Sequence, residues 1–255
     1  MGWQQGTGRV TAYITGTATP AGGRSSLKCV IFIYMIKRIA YTFFLLVILA
    51  SCQEAPRADK AKVGDVQQVK VGEGHAYLVD TATSVIGWIG TKPTGKHHGT
   101  LKLLSGVIYV KNSVVTAAQF VMNMKTLENV DLAADTSMKN KLERELKGPL
   151  FFDVAQYPTA TFEMTAIEPF KPAVDEDLNL KDATHTIKGN FTIKGVTKNI
   201  SFPAILTFSP GKLSAMATFN IDRTLWGISY RADKSVQDKL INSLVNISFT
   251  INAYR

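Results

Sequence analysis

About eight stretches of the chain alternate apolar and polar residues with a period of two. In residues 245–252, for example, Val, Ile, Phe and Ile alternate strictly with Asn, Ser, Thr and Asn. Such a period places one side of an extended strand in a core and the other in solvent, so each stretch predicts a β-strand. The stretches are residues 84–90, 99–110, 119–125, 159–166, 186–193, 200–208, 213–222 and 245–252.

The connections between these stretches are short. Residues 194–198 and 209–212 each contain Gly in a polar setting, which is typical of hairpin turns. Short turns make strands that are adjacent in sequence pair antiparallel. About eight such strands with one apolar face can close into a barrel and so remove the sheet edges. The sequence therefore predicts an all-β, antiparallel barrel.

One helix interrupts the strand pattern. Met138, Leu142 and Leu146 recur every fourth residue, Asp135 can cap the helix N-terminus, and Gly148 is followed by Pro at its end. We therefore expect a single short amphipathic helix packed on the barrel, across one of its ends.

A secretory signal precedes the strands. Residues 39–50 form an apolar run that follows Lys37 and Arg38, and this arrangement is typical of a signal peptide. The run is shorter than the roughly 20 residues that a membrane-spanning helix needs. It ends in small residues followed by Cys52, which resembles the lipobox of bacterial lipoproteins. In such proteins the cysteine is acylated and becomes the first mature residue, so we predict lipidation of Cys52.

The position of this signal predicts the domain organisation. A signal counted from Met1 would be longer than the usual 15 to about 30 residues, whereas a start at Met35 gives a normal one. We interpret residues 1–34 as upstream sequence translated from a misassigned start, the alternative being a genuine basic extension. The remaining segments are a lipoprotein signal peptide at 35–51, the lipidated cysteine with a flexible tether at 52–74, and the barrel domain at 75–255.

The net charge of +9 does not indicate nucleic-acid binding. Residues 1–51 contain five of the 29 basic residues and none of the 20 acidic ones, so the rest of the chain carries only +4. It has no run of like charges long enough to follow a phosphate backbone. Both cysteines, Cys29 and Cys52, precede the barrel, which excludes a disulfide, a thiol nucleophile and a thiolate metal site there.

Several ordered sequence blocks resemble the YceI-like family. The most distinctive is Leu-Phe-Phe-Asp-Val-Ala-Gln-Tyr-Pro-Thr-Ala-Thr-Phe at residues 150–162. The resemblance extends from about Tyr77 to Tyr254. It implies an extended, lipocalin-like antiparallel barrel of eight strands, whose cavity holds a polyisoprenoid chain or, in some members, an isoprenoid quinone. Its other blocks are residues 77–80, 84–88, 95–99, 104–106, 187–198 and 219–228.

The residue pattern alone does not decide what occupies the interior, because an eight-stranded barrel is either filled by its side chains or holds one small ligand. With the resemblance added, we expect a ligand cavity. Candidate ligand-binding residues are large side chains on the apolar faces and two tryptophans suited to a pocket mouth, although ordinary core packing remains an alternative for each. They are Trp88, Phe120, Met122, Met124, Phe162, Met164, Phe191, Phe202, Phe219 and Trp226.

Other polar residues favour structural roles. His97 and His98 are sequence neighbours that would point to opposite faces of a strand, so they make a poor metal site, and we place them in a turn. For Arg223, a structural salt bridge is favoured over contact with a ligand head group. The glycosylation-like motifs at Asn190, Asn199 and Asn246 are treated as chance. No catalytic, cofactor or metal-binding motif is recognised.

These patterns together predict a bacterial envelope lipoprotein that binds an isoprenoid lipid or quinone without catalysis. It would face the periplasm, attached to a membrane through Cys52. Because Gln53 stands where Asp marks inner-membrane retention in enterobacterial lipoproteins, the outer membrane is favoured. The alternatives are a filled barrel that acts through its surface in envelope stress or assembly, and an enzyme that acts on a bound lipid or quinone. The oligomeric state is left open.

Overall fold

The computed structural model describes residues 55–172, 180–232 and 240–255. The predicted upstream segment, the signal peptide and the lipidation of Cys52 therefore lie outside the described residues. Within the described part of the chain, no helix has the length and apolar character needed to cross a bilayer.

Eight strands form a closed antiparallel barrel, as the alternating pattern predicted. Each of the strands β4 to β11 pairs with the next one along the chain, and β11 returns to pair with β4, where Ile247 lies opposite Trp88. The barrel strands are β4 (Val85–Lys92), β5 (Gly95–Lys111), β6 (Val114–Asn129), β7 (Thr159–Pro169), β8 (His185–Ile193), β9 (Val196–Ser209), β10 (Lys212–Asp222) and β11 (Leu244–Tyr254).

Three shorter strands precede the barrel: β1 (Asp59–Lys60), β2 (Lys62–Gly64) and β3 (His75–Val79). β3 pairs with both β5 and β11. It therefore widens the wall at the end of the barrel that also holds the β9–β10 turn at Pro210. We call this end the base.

The helix α1 (Thr136–Lys147) lies between β6 and β7. The Asp135 side chain accepts a hydrogen bond from the Met138 backbone N–H at 3.0 Å, and the Gly148 N–H donates to the Glu145 carbonyl. The helix and both of its predicted end signals are therefore confirmed. Met138, however, is exposed, because residues four apart are offset by about 40° around a helix and a three-residue stripe drifts off the packed face.

Residues 55–74, which we call the strap, run along the outside of the barrel. β1 pairs in parallel with β10, and β2 pairs antiparallel with β9. Farther along, the Lys70 N–H donates to the Met164 carbonyl at 3.0 Å, and the Glu73 N–H donates to Thr116 Oγ1 at 3.1 Å. The expectation of a flexible tether is therefore wrong for this part of residues 52–74, because its backbone is hydrogen-bonded to successive strands.

The strap also completes the barrel wall. β9 and β10 pair with each other only near the base, over residues 205–209 and 212–216. Farther from the base, where β9 and β10 are separated, β1 pairs with β10 and β2 pairs with β9. Ala61, between β1 and β2, is only 3% exposed and belongs to the hydrophobic core. The segment thus belongs to the folded domain, whose wall would otherwise have an open seam.

Candidate functional site

The barrel encloses a cavity of about 400 Å³, within the usual size range of small-molecule sites. Its lining is almost entirely apolar. The exposed lining residues Lys92, Thr94 and Arg231 all lie at the end opposite the base, where the β4–β5 turn, α1 and the described residues that follow β10 are found. We call this end the mouth. Lining residues near the base, such as Val115 and Leu213, are buried.

Nine of the ten predicted ligand-binding residues line this cavity. Antiparallel register aligns Phe120, Phe162 and Phe191 on neighbouring strands, so their side chains share the inner face. Whether these side chains contact a ligand stays a prediction. The nine are Trp88, Phe120, Met122, Met124, Phe162, Met164, Phe191, Phe202 and Phe219.

Trp226 occupies a different position from the one predicted. It belongs to the 3-10 helix Arg223–Trp226, is fully buried at 0% exposure and does not line the cavity. Its Nε1 donates to the Phe191 carbonyl at 3.0 Å, and its ring packs edge-on against the Phe191 ring. Trp226 therefore supports the wall from outside the cavity, because the helical turn that follows β10 places its side chain against Phe191.

Aromatic rings form a connected layer around the cavity. Phe202 and Phe219 stack at 4.2 Å between ring centroids, and Phe162 lies 5.9 Å from Phe202 and 6.1 Å from Phe120. Gly189 makes room for this layer, because a Cβ there would lie 2.2 Å from the Phe162 ring. The result is a wall of rings and methionines, the latter flexible enough to fit irregular apolar shapes.

Trp88 places a polar atom in this apolar wall. Its indole lines the cavity, and its Nε1 is the one buried side-chain nitrogen or oxygen in the described residues that has no hydrogen-bond partner. Buried donors are normally paired, and leaving one unpaired costs free energy. The indole N–H of Trp226, by contrast, has a partner in the Phe191 carbonyl.

Arg223 has the structural role that was favoured, but through carbonyl groups and not through a salt bridge. Its Nε donates to the Asn242 carbonyl at 3.2 Å, and its Nη2 donates to the carbonyls of Tyr230 and Ile241 at 3.0 and 2.8 Å. Nη1 donates to the Ile228 carbonyl. Burial lowers the pKa of Arg223, against the opposing effect of Asp222. The guanidinium thus joins the two described parts of the β10–β11 connection at the mouth.

The histidine pair lies in a strand. His97 and His98 belong to β5 and lie opposite residues of β4, so the predicted turn is wrong, because the chain already reverses at Pro93 and Thr94. Asp131 accepts hydrogen bonds from the His98 backbone N–H at 2.7 Å and pairs with His97 Nδ1 at 2.8 Å.

Burial alone would raise the pKa of Asp131. The hydrogen bonds from His98, His97 and Asn129 outweigh this effect and lower it. Among the described residues, no group of three His, Cys, Asp or Glu side chains is arranged to hold a metal.

Sequence reasoning missed several cavity residues. Phe249 lines the cavity and lies on the inner face of β11, where its alternation with Ser248 and Thr250 could have revealed it. Leu142 and Leu146 of α1 also line the cavity near the mouth. These helix residues could not be assigned, because nothing in their spacing indicates which opening the helix covers.

Outward-facing asparagines hold the strap, a role that the glycosylation-like motif of Asn190 concealed. Asn190 accepts from the Gln67 N–H at 3.0 Å and donates to the Gln67 carbonyl at 2.7 Å. Asn220 donates to the carbonyl of Pro56 at 2.9 Å. Both asparagines are buried. They fasten the strap to β8 and β10.

Comparison with solved structures finds several that are similar to this chain. The fold of Burkholderia cenocepacia BcnA is similar, with a TM-score of 0.54 at 19% identity, over 69% of this chain and 99% of that one. A polyisoprenoid binding domain from Saccharophagus degradans gives a TM-score of 0.49 at 14% identity, over 70% and 97% of the two chains. The Campylobacter jejuni YceI protein gives 0.44 at 13% identity, over 75% and 90%. No curated protein matches the chain in sequence.

A family model for the YceI-like domain matches residues 77–253, which is well over half of the chain. The match includes all eight barrel strands, α1 and the cavity between them. From this match, together with the closed barrel, we conclude that the chain belongs to the YceI-like domain family.

Proposed function

We propose that this protein binds the apolar chain of an isoprenoid-type lipid, a polyisoprenoid or an isoprenoid quinone, inside the barrel and without chemistry. The observation that carries this proposal is the cavity of about 400 Å³ with its apolar lining. Burial of each CH₂ group of a ligand contributes about 0.8 kcal/mol, so a long chain needs few polar contacts to be held.

The side chains of the wall suit a branched, flexible ligand. Met122, Met124 and Met164 face the cavity from β6 and β7, and thioether side chains adapt to irregular shapes. The family resemblance implies the same class of ligand. At the mouth, the exposed cations of Lys92 and Arg231 suit a polar or anionic head group that remains outside the apolar interior.

The absence of catalysis is part of the proposal. Arg223 is engaged by backbone carbonyls, and His97 is engaged by Asp131. These two ionisable side chains near the ligand therefore already have structural partners. A surface-acting role or an enzymatic one would appear as a different outcome of the experiment below.

The location of the protein is also proposed. We infer an envelope lipoprotein that faces the periplasm, with acyl chains on Cys52 and an outer-membrane site favoured by Gln53. Support comes from the apolar run at 39–50 and the small residues before Cys52. Delivery to a membrane would place the barrel next to the lipids that it binds.

Native mass spectrometry tests lipid binding. The mature protein is extracted from its membrane in mild detergent, and we expect a co-purifying prenyl lipid, or uptake of added phytol or decylubiquinone. The double variant Phe162→Arg, Phe191→Arg should lose this lipid, because two charges would be buried in an apolar cavity.

The control is Thr161→Arg, which adds one arginine on β7 next to Phe162, on the outer face. It should keep the lipid. A folded double variant that still binds lipid would show that the inner face is wrongly assigned. A wild-type barrel that stays empty favours the surface-acting role, and chemical turnover of the bound lipid favours an enzyme.

A further inference from the structure

The strap joins the barrel wall close to the mouth. Asn220 lies two residues before the mouth end of β10, and its Nδ2 donates to the carbonyls of Pro56 and Ala58 at 2.9 and 3.4 Å. Asn246 in turn donates from its Nδ2 to Asn220 Oδ1 at 3.0 Å. The Ala61 N–H donates to the Asn220 backbone carbonyl at 2.9 Å. The beginning of the described chain is therefore fixed near the mouth.

The short link between Pro56 and Cys52 limits where an anchor can hold the barrel. Four residues of fully extended chain span at most about 14 Å. From Asn220 to Lys212, at the base end of β10, the strand covers about 27 Å at a rise of about 3.4 Å per residue. Strand tilt of about 40° reduces this to about 20 Å along the barrel axis, which still exceeds the link. An anchor on Cys52 thus reaches a bilayer at the mouth but not at the base.

The exposed surface at the mouth combines apolar and cationic side chains. Leu150, which follows α1, is 58% exposed, and Leu225 in the 3-10 helix is 43% exposed. Lys92, Lys96 and Arg231 are exposed at the same end. Leucines suit the boundary between head groups and acyl chains, and cations suit the phosphates of anionic lipids.

Two carboxylates at the same end are engaged within the protein. Asp131 is paired with His97, and Asp222 accepts from the Thr224 backbone N–H at 3.0 Å and from its hydroxyl at 2.6 Å. These hydrogen bonds orient both carboxylates within the protein.

We propose that the mouth of the barrel faces a phospholipid bilayer, with Leu150, Leu225, Lys92 and Arg231 at the lipid surface and the link to Cys52 holding it there. The inference rests on the proposed acylation of Cys52. It adds an orientation to the proposed function, in which a prenyl chain passes between bilayer and cavity with little exposure to water. The strap sets this orientation, because it places the anchor at the open end.

Fluorescence quenching in vesicles tests the orientation. Thr94→Cys places a thiol at the mouth and Ser209→Cys places one at the base, and both positions are exposed. Each mature acylated protein is labelled with bimane and reconstituted into phosphatidylcholine–phosphatidylglycerol vesicles that contain a lipid with a nitroxide head group. We expect quenching to be several-fold stronger for the Thr94→Cys label. Equal quenching, or stronger quenching at Ser209→Cys, would overturn the proposal.

Two controls separate this inference from the proposed function. With Cys52→Ser added, neither label should be quenched, because the protein is no longer held at the vesicle. Intact-mass measurement of the wild type tests acylation directly, and a chain without acyl groups would overturn both the anchor and this orientation. Lipid binding is scored independently by native mass spectrometry, so an acylated, lipid-binding protein with equal quenching would overturn the orientation alone.

Discussion

The two tryptophans of the barrel domain differ in whether the indole N–H has a partner. Trp226 is fully buried and donates to the Phe191 carbonyl, whereas the buried N–H of Trp88 has no partner. Both residues match the expectation of an apolar body with one polar atom. Only the surrounding structure shows that Trp226 supports the wall whereas Trp88 lines the cavity.

This difference predicts unequal effects of the same substitution. Trp226→Phe should lower the free energy of unfolding by about 2 kcal/mol or more, because it removes the hydrogen bond to the Phe191 carbonyl and leaves a void behind the wall. Trp88→Phe should cost less than about 1 kcal/mol, since the lost N–H made no hydrogen bond. Urea unfolding of both variants, followed by circular dichroism, measures the two values. Equal losses would contradict the roles assigned to these residues.

At the scale of elements, strands were easier to predict than the strap. Alternation such as that around Phe249 reports which side of a strand is buried, so all eight barrel strands could be located from sequence. The strap has no such period, because its hydrogen bonds come from its backbone, which any residue supplies. The side chains that hold it, such as Asn190 and Asn220, are polar residues on outer faces that resemble ordinary solvent-exposed positions.

Because Asn220 holds the strap, we expect Asn220→Ala to weaken the attachment of the strap to the barrel. This change removes the hydrogen bonds to Pro56 and Ala58 and leaves the buried Asn246 amide without that acceptor. We expect a loss of about 2 kcal/mol in the free energy of unfolding. Hydrogen exchange should also become faster at the Ala61 amide, because β1 and β2 separate more easily from β10 and β9.

Asn123→Ala provides the matched control for this variant. Asn123 lies on β6, and its side chain accepts from the Lys125 N–H of the same strand at 3.2 Å. The control should leave exchange at Ala61 unchanged. If Asn220→Ala does the same, the side chain of Asn220 does not hold the strap, and the backbone pairing alone is sufficient.

At the scale of the whole molecule, the alternation predicted a barrel but not its hollow interior. A period of two indicates which side chains point inward, and it does not indicate how far they reach. The relevant signal was the small size of some inward residues, since Ala160 and Ala215 line the cavity and Gly189 leaves room for the Phe162 ring. Whether such positions add up to a void depends on how the eight strands are tilted and registered, which only the assembled barrel reveals.

If the cavity binds lipid, the ligand should stabilise the entire folded barrel against unfolding. Phytol that binds the folded cavity and not the unfolded chain should raise the free energy of unfolding by about 2.7 kcal/mol when its concentration is a hundred times the dissociation constant. For a domain of this size, this corresponds to an increase of roughly 5–10 °C in the midpoint of thermal unfolding. Calorimetry of the delipidated protein, with and without phytol, measures the shift.

The double variant Phe162→Arg, Phe191→Arg should show no such shift, while Thr161→Arg should keep it, because only the former places charge inside the cavity. A midpoint that stays constant for the wild type at saturating phytol would mean that the ligand binds the folded and unfolded chains equally. Such a result is incompatible with a site that exists only when β4 to β11 close around it. The magnitude of the shift therefore tests whether the cavity itself is where lipid binds.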